Sequence, residues 1–247
     1  MEIITSLKNP KIQKIIKLIK NKKYRDEQQK FIIEGVNLVD EAREHKILDE
    51  LIISASYYKK NSHLKGIVIS DAAFNQIVTL KNYQGLIGIC NFIDFQIDYN
   101  ANTLVLSNIS DPGNLGTLIR SAAAFNFKNV ILINNCASVY NPKVIRSTQG
   151  YLFKVNVLNL NNDVLSVLKE KKYTLYGTYL NNSRSVEYNK VDKSLKNHIA
   201  LLIGNEANGL DAECKKYIDI NINVPMVAGV DSLNAAIAGS IIMSYFL

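Results

Sequence analysis

Polar residues able to do chemistry are set among apolar ones at three places in the second half of this 247-residue chain. The first is Asn108-Ile-Ser-Asp-Pro-Gly-Asn-Leu-Gly-Thr-Leu-Ile-Arg120, in which Asp-Pro-Gly reads as a turn and a helix begins near Asn114. Leu115, Leu118, Ile119 and Ala122 recur at helical spacing as its apolar stripe. Arg120 lies off that stripe and suits an anionic ligand or a partner, although a generic βα turn followed by a surface arginine has the same pattern. The second segment is Leu201-Leu-Ile-Gly-Asn-Glu-Ala-Asn-Gly-Leu210. Gly204 and Gly209 follow an apolar run and let backbone approach a ligand at a strand's carboxyl end, where open α/β sheets bind their ligands. Glu206 is an acid in this tight turn, with N-capping as its alternative use. The third segment runs from Val224-Pro-Met through Gly229 and Asp231 to Ser232-Leu-Asn234. Its Ser-Leu-Asn step opens a helix apolar on nearly every face, which predicts burial and places polar groups and free backbone N–H groups at the mouth of a sheet.

Other chemistries lack their residues. No GxGxxG, GxxxxGK[ST], GxSxG or HExxH pattern occurs, so dinucleotide, P-loop, serine-hydrolase and metallohydrolase readings lose ground. His45, His63 and His198 lie outside all three segments. Cys90, Cys136 and Cys214 are odd in number and widely spaced, with no CxxC pair; they are expected to be buried, reduced thiols, and no metal site is expected.

The elements that must carry these segments follow from periodicity. Candidate strands in the second half are Thr103–Ser107, Val130–Ile133, Thr174–Thr178, Ile199–Ile203 and Ile218–Ile222, with helices at about 114–126, 142–149, 162–171 and 232–246. Their near-continuous apolar runs predict a buried parallel sheet alternating with helices. In the first half, Asn9 and Pro10 read as N-cap and first helical residue. Ile12, Ile15, Ile16 and Ile19 form one stripe, and Lys11, Lys14, Lys17 and Lys20 the opposite face, continued by Asn21-Lys22-Lys23-Tyr24-Arg25. A second helix is expected over about Val36–Glu44, then apolar runs at Leu51–Ile53, Ile67–Ile69 and Leu86–Ile89. The polar stretch Asp94–Asn102 marks a boundary, giving expected domains 1–95 and 103–247.

The composition is that of a folded globular protein, 47% hydrophobic and 21% charged with 12 Gly and 4 Pro, which excludes disordered, collagen-like and disulfide-scaffold classes. The net charge is +7, and residues 1–30 alone hold nine Lys/Arg against three Asp/Glu. Such a segment is either a solvated helix face or a grip on a polyanion. No continuous apolar signal segment opens the chain; Glu2 and the scarcity of Arg weaken a presequence reading, so a cytoplasmic protein is expected. The tract Ala235–Leu247 is too short and too interrupted by Gly and Ser to span a membrane.

Taken in order, Asn-x-x-Asp-Pro-Gly-Asn-x-Gly-x-x-x-Arg, Leu-Ile-Gly-Asn-Glu-x-x-Gly-Leu and Val-Pro-Met…Ser-Leu-Asn resemble the three motifs of the SpoU (TrmH-type) RNA ribose 2′-O-methyltransferases of the SPOUT class. Ser6-x-Lys-Asn-Pro-Lys, Lys23-Tyr24-Arg25 and Phe31-Ile-Ile-Glu-Gly35 resemble the RNA-binding substrate domain of that family. The resemblance implies an α/β fold whose parallel sheet ends in a C-terminal trefoil knot, preceded by a small α/β ribosomal-protein-like domain. It implies a homodimer that transfers a methyl group from S-adenosylmethionine to an RNA ribose, without a metal. By motif position, Gly204, Val224 and Leu233, with Thr178 and Met226, would hold the cofactor. Arg120 matches the catalytic arginine, and Asn114, Glu206, Ser232 and Asn234 would complete the site, with Asn114 and Arg120 facing the partner subunit's cofactor. An arginine is a poor free base, which favours phosphate orientation and alkoxide stabilisation over direct deprotonation. The N-terminal domain points to ribosomal RNA; the alternatives are transfer RNA and a non-catalytic RNA-binding or assembly protein on the same scaffold.

Overall fold

The computed structural model describes residues 3–79, 83–178, 185–192, 198–205, 209–230 and 232–247. The chain falls into two compact units, Met1–Asp94 with Tyr140–Phe153, and Phe95–Val139 with Lys154–Leu247. The elements are, in order, α1 (Pro10–Lys20), α2 (Lys22–Gln28), β1 (Lys30–Glu34), α3 (Val36–Glu44), β2 (Leu48–Ser54), α4 (Ala55–Lys60), β3 (Ile67–Ile69), α5 (Asp71–Ile77) and β4 (Leu86–Asn91). There follow β5 (Asn102–Ser107), α6 (Pro112–Ala124), β6 (Phe127–Ile133), α7 (Pro142–Thr148), β7 (Asn156–Asn159), α8 (Val164–Glu170), β8 (Thr174–Thr178) and β9 (Val186–Glu187). The last are β10 (Ile199–Ile203), α9 (Ala212–Lys215), β11 (Ile220–Asn223) and α10 (Ala235–Tyr245).

In the first unit the strand order is β1-β4-β2-β3, with β4 antiparallel to both neighbours and β3 parallel to β2. Ile12, Ile15 and Leu18 of α1 bury against Ile32, Ile52, Ile69, Phe74, Ile87 and Ile89. The basic run does not continue α1. Asn21 is extended (φ −117°), ends α1, and caps α2 by accepting from the Tyr24 N–H at 3.1 Å. Asn competes well for that position because its side chain replaces a lost helical partner. Arg25 then turns inward, 3% exposed, and donates to the Leu18 and Ile19 carbonyls at 2.9 and 3.1 Å.

A segment from far along the chain completes this unit. Tyr140 stacks on Phe31 and Phe92 at ring distances of 4.5 and 3.9 Å. Arg146 of α7 donates to the Thr79 hydroxyl, which donates to buried Glu34 at 2.6 Å. Periodicity predicts the helix near 142–149 but not its place, because nothing local records a partner more than sixty residues away.

The second unit is a seven-stranded sheet in the order β7-β6-β5-β10-β8-β11-β9, and every pairing in it is parallel. Leu165 and Leu168 of α8 and Cys214 of α9 pack on Val105, Ile131, Leu175 and Leu202. On α10, Gly239 brings the helix backbone close to Leu118 of α6 and Ile203 of β10. Both faces are covered, which accounts for strands apolar along their length rather than alternating. The late strand β10 is inserted between β5 and β8, so the chain returns to the sheet's centre after visiting its edge. No helix among the described residues is long and apolar enough to cross a membrane.

Candidate active site

A parallel sheet points all its strand ends one way, so β5, β10, β8 and β11, adjacent in that order, deliver the three motif segments to one edge. The first leaves β5 at Asn108, whose backbone is left-handed (φ 59°). Asp111 is the N-cap, accepting from the Asn114 N–H at 2.8 Å, and Pro112 is the first helical residue. The helix thus begins two residues before the expected Asn114, because Asp-Pro supplies both cap and fixed φ. Leu115, Leu118, Ile119 and Ala122 are buried and Arg120 is exposed, as its place off the stripe predicts.

The second segment turns back tightly on β10. Gly209 (φ 63°) donates to the Asn205 carbonyl at 2.8 Å. A Cβ on Gly204 would lie 2.2 Å from the Gly209 carbonyl carbon and 2.5 Å from the Leu210 nitrogen. Glycine at 204 is therefore required by the chain's own return, apart from any ligand. Thr178, at the end of β8, donates its hydroxyl to the Leu202 carbonyl at 3.2 Å. Glu206 lies outside the described residues. The following acid, Asp211, caps α9 through the Cys214 N–H at 2.9 Å.

The third segment corrects the helix start. Ser232 precedes the helix, and Asn234 is its N-cap, accepting from Ala236 and Ile237 N–H at 2.9 and 3.3 Å. The expectation of burial on every face also fails, since Ile237 is 54% exposed. The Asn234 amide nitrogen donates to the Asn114 side-chain oxygen at 2.9 Å, so one side chain caps α10 and fixes a residue of α6. Ser121 and Ser240 hydrogen-bond at 2.7 Å between the same helices. Asn114 and Asn234 are thereby brought together. Arg120 is not part of that contact: six residues on, it lies about 9 Å along the axis and about 120° round the helix from Asn114.

Between β11 and α10, Val224, Met226 and Leu233 are half-buried. Their backbone groups enter no hydrogen bond among the described residues. Half-buried N–H and C=O groups need a partner from water or a ligand. Apolar side chains with open backbone donors and acceptors suit a planar heterocycle such as adenine. Among the described residues, no group of three or more His, Cys, Asp or Glu could hold a metal ion. Burial pushes the Cys90 and Cys214 thiols up to about 12, aided at Cys214 by Asp211, and raises Cys136 as well, so all three are weak nucleophiles.

Comparison with known proteins places the chain in a family. Residues 101–244 match the SpoU rRNA methylase family, and residues 9–88 match an MRM3-like substrate binding domain. The chain is 32% identical to the 23S rRNA (guanosine(2553)-2′-O)-methyltransferase RlmP of Bacillus subtilis over 98% of both chains. It is 26% identical to the mitochondrial rRNA methyltransferase 3 of Xenopus laevis, across 94% of this chain and 72% of that one. The crystal structure of an AdoMet-bound rRNA methyltransferase from Sinorhizobium meliloti superposes with a TM-score of 0.85 at 27% identity, covering 99% and 97% of the two chains. The fold is that of a parallel-sheet α/β methyltransferase. The chain belongs to the SpoU rRNA methylase family. It is an RNA 2′-O-ribose methyltransferase that uses S-adenosylmethionine as methyl donor.

Proposed function

We propose that this enzyme methylates a ribose in ribosomal RNA. Residues 1–95 would grip the RNA as a ribosomal-protein-like substrate-binding domain, and residues 103–247 would form the catalytic domain, apart from Tyr140–Phe153, which belong to the first compact unit. The observation that carries the reading is the meeting of three separated motif segments at one sheet edge, the first joined to the third by the Asn234–Asn114 hydrogen bond and to the second by Asn205–Asn108. Bound there, S-adenosylmethionine supplies an electrophilic methyl group. The chain's own task is to place a ribose hydroxyl in line with that methyl and to assist loss of its proton.

Gly204, Val224, Met226, Leu233 and Thr178 hold the cofactor in this reading, and Asn114, Glu206, Ser232 and Asn234 line the transfer path. Arg120 binds the RNA phosphate beside the reacting ribose and stabilises the oxygen as it becomes an alkoxide. Its direction, away from Asn114 on the same helix, suits a site completed by a second copy of the chain. The exposed apolar residues Val227, Val230, Ile237 and Leu247 support a homodimer. Insertion of β10 between β5 and β8 supports the trefoil knot, and ribosomal RNA as substrate supports a cytoplasmic location.

The requirement for a 2′-hydroxyl restricts the substrate to RNA. Lys8, Lys11, Lys20 and Lys22 are exposed and make no ion pair among the described residues. Contacts from such lysines to phosphate are sequence-independent and salt-sensitive. The test is transfer of labelled methyl from S-adenosylmethionine to total RNA, followed by mapping of the modified ribose. Label in large ribosomal RNA is the expected outcome; label confined to transfer RNA would overturn the substrate assignment, and none in any RNA the activity.

A further inference from the structure

Outside the three motif segments, the turn after β6 hydrogen-bonds to the first of them and to Asp211, just past the second. Asn134 ends that strand in a left-handed conformation (φ 58°), which Asn adopts more readily than most residues. Its amide nitrogen donates to the Ser107 hydroxyl at 3.0 Å and to an Asp211 carboxylate oxygen at 2.7 Å. Ser107 is the fully buried last residue of β5, just before the first motif turn. Asp211 follows the second motif and caps α9 with its other oxygen.

The contacts around this amide act on the same turn. Ser107 also accepts from the Asn108 amide at 3.2 Å, and the Asn108 side-chain oxygen accepts from the Asn135 N–H at 3.3 Å. The Ile109 N–H donates to the Cys136 sulfur at 3.3 Å, and the Ile109 carbonyl accepts from the Ala137 N–H at 2.9 Å. From the other side, Asn205 donates its amide to the Asn108 carbonyl at 3.3 Å. Both N–H bonds of one amide thus tie the two motif turns, separated by about a hundred residues of chain, to a common point.

We propose that Asn134 is a positioning residue for methyl transfer: its amide sets the distance between the Asn108–Asp111 turn, which starts the helix bearing Arg120, and Asp211, which follows the second motif. This inference rests on the site placement proposed above. A methyl transfer needs its two reacting atoms aligned, so a small relaxation between these turns lowers the rate more than it lowers stability.

Replacement of Asn134 by Asp removes both donors and sets a carboxylate against Asp211. Asn134→Asp is expected to lower kcat for RNA methylation about tenfold, the scale of losing a hydrogen bond to a charged group. The fold, judged by circular dichroism, and RNA affinity stay near wild type, while the thermal midpoint falls by several degrees. The paired change Asn134→Asp with Asp211→Asn reverses donor and acceptor: the introduced amide donates to the introduced carboxylate, and its oxygen still caps α9. The Ser107 hydroxyl turns to donate instead. The double variant is expected to recover kcat to within about threefold of wild type. A folded single variant with wild-type kcat would overturn the proposal, as would a folded double variant no better than the single one. If Asn134→Asp does not fold, Asn134→Gly, which keeps the backbone conformation, takes its place, and unchanged kcat there is equally fatal. A wild-type chain that methylates RNA while Arg120→Ala does so equally well would count against the site placement instead, and with it the clamp.

Discussion

The two units differ in how they treat charge. In the first, cations stand on the outside of α1 and α2 on long flexible stems. Lys14 lies 3.7 Å from Glu50, and Lys17 reaches over the Tyr24 ring at 5.6 Å. In the second, the polar residues at the sheet edge are short, mostly uncharged and interlocked: Asn114 with Asn234, Asn134 with Ser107 and Asp211, Asn205 with Asn108. A polyanion can be held by many adjustable point charges, because each contact carries little information. Alignment of a methyl and a hydroxyl cannot, and it calls for short side chains fixed by reciprocal hydrogen bonds. On the proposed reading, the excess of positive charge belongs to the grip on the substrate and the chemistry to the nearly neutral part.

That contrast breaks first at Arg120. Arg120→Ala is expected to lower kcat for RNA methylation by about a hundredfold or more, the scale of losing a charged transition-state contact, with cofactor affinity unchanged by calorimetry. Near wild-type turnover in that variant would remove the arginine from the reaction. The next effect belongs to the first unit. Replacing Lys8, Lys11, Lys20 and Lys22 by Gln is expected to weaken RNA binding about tenfold at moderate salt and to flatten the slope of log K against log salt by about three. Cofactor affinity and the thermal midpoint should not move. An unchanged slope would return those lysines to the status of a solvated helix face.

Arg25 sharpens the contrast from inside. Charge counting groups it with its lysine neighbours, and the resemblance to an RNA-binding domain includes it. The structure buries it under the carboxyl end of α1. Arg25→Met is expected to cost about 1–2 kcal/mol in denaturant unfolding by leaving the Leu18 and Ile19 carbonyls without their partner. It should leave the salt slope of RNA binding unchanged, whereas loss of one phosphate contact would flatten it by about 0.7–0.9. The opposite outcome, a stable protein with a weakened salt dependence, would make Arg25 a phosphate contact after all.

Much of this was legible in the residues. Strands Thr174–Thr178, Ile199–Ile203 and Ile67–Ile69 have the bounds their apolar runs predict, since runs buried on both faces need no alternation to be seen. The helices Pro10–Lys20 and Val36–Glu44 also follow from local signals. Other strands were invisible: Asn156–Asn159 and Val186–Glu187 are short edge strands of mixed polarity, formed only because a neighbour offers them a ladder. The three motif segments mark the site edge, yet their connections do not show in one dimension. Asn234 reads as one polar residue among several at a helix start, and only the fold reveals that it caps α10 and holds Asn114 at once. Asn134 offers a faint signal, an Asn-Asn pair closing a strand, which marks a left-handed turn and nothing more.

The segment Tyr140–Phe153 bears on how such a chain can be inherited. Its ring and guanidinium meet Phe31, Phe92 and Thr79, encoded well upstream. A recombination that exchanged the first ninety or so codons for those of another substrate-binding domain would leave Tyr140 and Arg146 facing strangers. A viable chimera therefore needs two further crossovers, near codons 139 and 154, or parents already alike along that seam. Substrate range in this lineage is then expected to drift by point substitution within a matched pair of segments more readily than by shuffling of a self-sufficient cassette.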